Sequence, residues 1–246
     1  VVLAVSPDGR KIWAAGHLPA GAADGDFTAA ALTLVEDGKA VHFPLSNGTQ
    51  GVRGMAISPD GRYLAVAHVL SRYQAPTTQL DRGWMNTNAV TVINTDEPDK
   101  PHPVLLDDPD AGAANPWGVS FSGDGGKLFV THAGTHELSV IDFPALLERM
   151  KREDRSNEPV SERLGFLHGL RARIALPLNG PRSVASDGKN VYVAGYFSDS
   201  LAEISLKDAR KSRAIPLNAP FRPSREKLGE RYFNDASHCF QGWQSC

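Results

Sequence analysis

One turn motif recurs four times and dictates what this chain can fold into. The first copy is Ala4-Val5-Ser6-Pro7-Asp8-Gly9-Arg10-Lys11-Ile12-Trp13, and the second is Met55-Ala56-Ile57-Ser58-Pro59-Asp60-Gly61-Arg62-Tyr63-Leu64. The third is Val119-Ser120-Phe121-Ser122-Gly123-Asp124-Gly125-Gly126-Lys127-Leu128, and the fourth is Ser183-Val184-Ala185-Ser186-Asp187-Gly188-Lys189-Asn190-Val191. The turn aspartates Asp8, Asp60, Asp124 and Asp187 are 52, 64 and 63 residues apart. Proline pre-sets φ at the first corner, aspartate suits the next, and glycine takes the positive-φ position. Apolar and polar residues alternate on both sides, which predicts a β-hairpin in each copy. A third strand is predicted over 31–35, 89–94, 137–142 and 201–206, and a fourth over 40–45, 102–106, 173–178 and 212–217. Four antiparallel strands per repeat is the layout of a propeller blade. The expected fold class is therefore all-β: a β-propeller of four readable four-stranded blades over 1–218, with a short C-terminal extension over 219–246.

These residues resemble the YVTN-type β-propeller repeat family. The Ser-Pro-Asp-Gly turn, the Val-Ala strand after it, and the third-strand Val92-Ile93-Asn94 and Val140-Ile141-Asp142 carry the resemblance, which covers Val1 to about Asn218. Seven blades are usual in that family. The resemblance therefore implies four blades of a seven-bladed propeller with the N-terminal ones missing, and a closed four-blade ring is the alternative. The chain begins at Val1 in what reads as a strand interior and stops at Cys246 without a polar tail, so a processed or partial polypeptide is expected.

Of the 246 residues 41% are hydrophobic and 22% charged, which suits a globular core and argues against disorder. The 26 basic and 28 acidic residues leave a net charge of −2, giving no global attraction to nucleic acid or an anionic membrane. No apolar run is long enough to span a bilayer. Neither nucleic acid nor membrane is expected as a partner. The repeat spacings exceed the usual propeller period of about 40–50 residues, so insertions are expected. One covers 69–87 with Arg72, Tyr73, Gln79, Arg82, Trp84 and Asn86; another covers 144–169 and opens with a helical pattern over 145–152.

After Asn218 the repeat stops, and Pro216, Pro220 and Pro223 mark a linker. The segment beyond it contains Leu228-Gly229, Tyr232-Phe233, Asp235 and finally Ser245-Cys246. It resembles the opening of the bacterial di-haem cytochrome c peroxidase family. In that family the Ser-Cys begins a C-x-x-C-H motif, whose two thiols bond to haem and whose histidine ligates iron. The resemblance implies that Cys246 is the first haem-attachment cysteine and that haem c is the cofactor of the full-length protein, not of this chain. It also implies bacterial periplasmic or extracellular localisation, with the protein's own C-terminal cytochrome domain or a redox protein as partner. The alternative is a tail in which Cys239 and Cys246 form a disulfide. Both readings place the protein outside the reducing cytoplasm.

Two sets of residues recur in register. His17, His68 and His132 are expected just past the second strand of their blades, as hydrogen-bonded turn residues, with His136 adding an H-x-x-x-H spacing too sparse for a metal site. Arg53, Trp117 and Arg182 precede the first strand of three blades. Family resemblance puts them at the channel mouth, on the same face as the histidines. Arg53, His68, Arg82, Trp84, Trp117, His132 and Arg182 are the candidate binding residues of that face, since Trp and Arg are enriched at binding hot spots. Packing between blades is the competing reading. Asp107-Asp108 lies in a turn-rich stretch and reads as loop. No nucleophilic triad, phosphate-binding loop or zinc spacing is present. The expected function is a scaffold or docking domain of an extracytoplasmic haem c protein. A stand-alone propeller lactonase or lyase and a surface-binding propeller without redox partner are the alternatives.

Overall fold

The computed structural model describes residues 1–22, 24–74, 85–153, 160–208, 210–218 and 223–246. They form four antiparallel four-stranded meanders, each with its strands in chain order. Blade 1 comprises β1 (Val2–Val5), β2 (Lys11–Ala15), β3 (Ala31–Glu36) and β4 (Lys39–Pro44). Blade 2 comprises β5 (Thr49–Ile57), β6 (Tyr63–Ser71), β7 (Asn86–Asn94) and β8 (His102–Leu105). Blade 3 has β9 (Pro116–Phe121), β10 (Lys127–His132), β11 (Glu137–Asp142) and β12 (Arg171–Ala175), and blade 4 has β13 (Pro181–Ser186), β14 (Asn190–Gly195), β15 (Ser200–Ser205) and β16 (Ser212–Pro216). The first strands pack in series, β1 on β5, β5 on β9 and β9 on β13.

The recurring turn is one hydrogen-bonded device. The hydroxyls of Ser6, Ser58 and Ser122 donate to Asp8, Asp60 and Asp124 at 2.5, 2.5 and 2.6 Å. The same oxygens accept from the backbone N–H that opens the second strand, at Lys11, Tyr63 and Lys127. Gly9, Gly61 and Gly125 close these turns at φ 73°, 74° and 71°, which glycine adopts without a Cβ penalty. The shorter fourth turn uses Asp187, which accepts from Lys189 and Asn190 N–H. Ser58→Ala removes both bonds of one turn and is expected to cost about 1 kcal/mol, measured as a lower urea midpoint with unchanged slope.

The core lies between blades. Trp13, Leu32, Leu64 and Ile93 fill the space between blades 1 and 2. Val90, Leu128, Ile141 and Leu146 fill the next, and Phe129, Leu138, Val191 and Val193 the third. The opposite face of blade 1 leaves Leu3 and Val5 exposed.

Several expected boundaries move. In the first insertion the hairpin continues: Ser71 still pairs with Asn86, and the Thr87 hydroxyl donates to the Leu70 carbonyl. The reason is burial, since Leu70 packs with Ala89 and Leu105 beyond the expected strand end. Gln79, Arg82 and Trp84 lie outside the described residues. The predicted helix is α1 (Phe143–Glu153), opened by Asp142, whose carboxylate accepts from Ala145 N–H. The last strand of blade 3 ends at Ala175 rather than Leu178, because Leu176 and Leu178 leave the sheet to join the core against blade 4. A second helix, α2 (Arg225–Phe233), starts with the Ser224 hydroxyl accepting from Lys227 N–H. No helix among the described residues is long and apolar enough to cross a membrane.

Candidate functional site

Arg53 on β5, Trp117 on β9 and Arg182 on β13 come together although they are far apart in sequence. The guanidinium carbons of Arg53 and Arg182 lie 4.2 and 4.1 Å from the Trp117 ring centre. Arg182 also lies 3.7 Å from the centre of Tyr196 and 5.2 Å from that of Phe197. Cation–π contacts are worth about 0.5–2 kcal/mol each, more when water is excluded. The strands come this close because residue 54 is glycine: a Cβ there would run into the Trp117 carbonyl. Burial pulls the Arg53 guanidinium below its ordinary value, and the Arg182 charge pulls it further. A cavity of about 370 Å³ is bordered by all four first strands, with these three side chains on its wall.

The histidines are placed differently from their sequence reading. His68 lies inside β6 and His132 is the last residue of β10, both fully buried, rather than past the strand ends. Each bonds a hydroxyl on the neighbouring third strand: His68 Nε2 to Thr91 at 2.6 Å and His132 Nε2 to Ser139 at 2.7 Å. His68 Nδ1 donates to the Val69 carbonyl, so its Nε2 accepts from the threonine. Burial pushes His68 down to about 4. It holds His132 well below its ordinary value too, with the charges of Arg173 and Arg171 adding to the effect. His17 Nδ1 meets the Val52 carbonyl instead. His136 accepts from Gly180 N–H and faces Asp235, so it does not converge with His132.

The C-terminal segment folds back onto this face. Lys227 of α2 lies 5.4 Å from the Tyr196 ring centre, beside the Arg182 stack. Asp235 faces His136 of blade 3 at 3.3 Å. Trp243 is buried, and its carbonyl accepts from Asn88 Nδ2. Ser245 Oγ accepts from Asn115 Nδ2 at 2.8 Å, two residues before Trp117. Cys246 is exposed and Cys239 half-buried, both as free thiols. Burial raises the Cys239 thiol, as does its hydrogen-bonded neighbour Cys246.

Asp107, read from the sequence as loop, anchors this docking. Its carboxylate accepts from Asn88 N–H at 2.7 Å, Asn88 Nδ2 at 2.8 Å and Ala113 N–H at 2.7 Å. Asn88 in turn bonds Trp243 and accepts from Asn115 N–H. Burial pushes Asp107 up to about 6 against those three donors. Next to it, Asp108 binds Arg171 at 2.6 Å and Arg173 at 3.1 Å, and Arg173 also binds Glu137 and the Gly112 carbonyl. Gly112 packs so tightly on Gly242 and Trp243 that no Cβ fits there. The paired aspartates and the Gly at 112 were the available signal, but nothing local shows that Trp243 meets them.

No family model matches the chain. The hydrazine synthase subunit beta of Kuenenia stuttgartiensis is 29% identical over 174 residues, 69% of this chain and 45% of that protein. The solved hydrazine synthase of the same organism superposes with a TM-score of 0.70 at 25% identity, over 82% of this chain and 57% of that one. The fold is a β-propeller. The periplasmic gluconolactonase PpgL of Pseudomonas aeruginosa has a TM-score of 0.54 at 17% identity, over 90% of this chain and 58% of its own. A streptogramin B lyase has 0.53 at 14%, over 87% and 53%. These last two show the propeller architecture alone. The chain spans less than half the length of the curated relative it matches.

Proposed function

We propose that these blades are the propeller scaffold of an extracytoplasmic haem c protein similar to hydrazine synthase, and that their Arg–Trp face seats a redox domain. Sequence similarity to a hydrazine synthase beta subunit supports a place in a hydrazine-forming assembly. The carrying observation is the docked C-terminal segment. It is held to blades 2 and 3 through Trp243, Ser245 and Asp235, and leaves Cys246 exposed beside Ser245, which bonds Asn115. Phe233 and Phe240 of that segment are exposed as well, apolar surface that a following domain would cover. The exposed Leu3 and Val5 of blade 1 offer an apolar packing face for a neighbouring blade.

The chain's own residues do not fit haem c by themselves. They supply one attachment thiol, Cys246, without the second cysteine and histidine of the motif. The 1–246 chain, produced with c-type haem maturation in the periplasm, is therefore expected to be colourless. A polypeptide continuing past Cys246 is expected to carry covalent haem that Cys246→Ala removes, read by haemochrome absorbance and mass. Covalent haem on the 1–246 chain, or a polypeptide that continues without completing the motif, would overturn the reading.

A further inference from the structure

The geometry points to a second role for the Arg53–Trp117–Arg182 stack: a binding site for a small carboxylate in the cavity at the mouth of the first strands. This does not depend on a haem domain. Two guanidiniums share one indole, and neither has a carboxylate within ion-pair distance among the described residues. The acidic group in electrostatic reach of Arg182 is Glu230, and it is ion-paired with Lys227 at 2.9 Å. Lys227 itself adds a third cation beside Tyr196. Partial desolvation of each guanidinium, and for Arg53 the nearby Arg182 charge, thus disfavour two cations that the fold nonetheless holds together. An anion in the depression, approaching the guanidinium edges that the rings leave open, would offset both effects. A planar carboxylate suits a guanidinium because its two oxygens match two parallel N–H donors. Both guanidiniums already rest against the indole, so part of their side-chain freedom is lost before binding. The depression, about 370 Å³, is open to solvent and wide enough to admit a small molecule.

Oxalate is a suitable probe, with Trp117 as reporter. Titration of the 1–246 chain is expected to give a saturable change in tryptophan emission that sodium chloride at equal ionic strength does not give, and that Trp117→Phe removes. Arg53→Gln or Arg182→Gln is expected to weaken the midpoint at least tenfold with circular dichroism unchanged. Arg53 is the more exposed of the two arginines, with only its guanidinium partly desolvated, so Arg53→Gln keeps the test open if the Arg182 variant folds poorly. Ligand binding to the folded state also raises its melting temperature, so oxalate should stabilise the unaltered protein beyond matched chloride. An oxalate response equal to chloride, or one that persists in the Arg53→Gln/Arg182→Gln double variant, would overturn the assignment.

Discussion

Asp107→Ala is expected to cost about 3 kcal/mol or more, because it strands three buried N–H donors whose desolvation is no longer compensated. The donors are Asn88 N, Asn88 Nδ2 and Ala113 N. In a domain of this size that corresponds to a fall in Tm of about 6–12 °C. The loss should also propagate. Asn88 holds both the Trp243 carbonyl and Asn115, which in turn holds Ser245. Limited proteolysis of the variant should therefore release the segment after Pro223 before the blades are cut. Asp107→Asn keeps the shape and one acceptor oxygen, so its effect should be smaller. A variant Asp107→Ala that melts with the unaltered protein and sheds no C-terminal fragment would show that the carboxylate is not the anchor.

Acidification from pH 7 to pH 5 is expected to destabilise the fold, with His68 and His132 as the main cause. His68 titrates at about 4 when folded and at about 6.5 in an unfolded chain. The unfolded state therefore takes up the proton first. The stability that His68 contributes is complete above the unfolded value and is lost as pH falls toward 4. By pH 5 that loss is about 2 kcal/mol, at 1.36 kcal/mol per unit. His132, buried in the equivalent place with two arginine charges nearby, acts in the same direction. Asp107 opposes them: it titrates at about 6 in the fold and about 3.9 unfolded, so the fold binds its proton more tightly. Acidification to pH 5 thus recovers about 1.4 kcal/mol from Asp107, less than the two histidines give up together. Urea unfolding at the two pH values measures the net. His68→Gln should flatten the dependence while lowering stability at pH 7 through the altered contact with Thr91. Stability that is equal or greater at pH 5 would contradict the assignment.

The blades themselves were legible in the sequence because their causes are local. Ser, Asp and Gly at fixed offsets specify a turn with its own hydrogen bonds, and alternation around it specifies which face is buried. The third strand of blade 3, Glu137–Asp142, was readable to the residue for this reason. The register of Arg53, Trp117 and Arg182 was legible too, since repeats related by a common architecture place equivalent residues side by side.

Contacts between distant segments were decided only by the tertiary structure. Leu176 and Leu178 look like strand residues, but their burial is satisfied better against blade 4 than in a ladder. His68 and His132 look like turn residues at the end of an apolar run, yet a hydroxyl on the adjacent strand lets each stay neutral and buried. Asp107 is the sharpest case. Beside proline and glycine an aspartate reads as solvated loop, and its burial depends on Asn88, 19 residues away, and on Trp243 beyond it. No pattern within the turn encodes those partners. A buried carboxylate is tolerated only where separate segments supply its donors at once, and that condition is met only when the chain has folded.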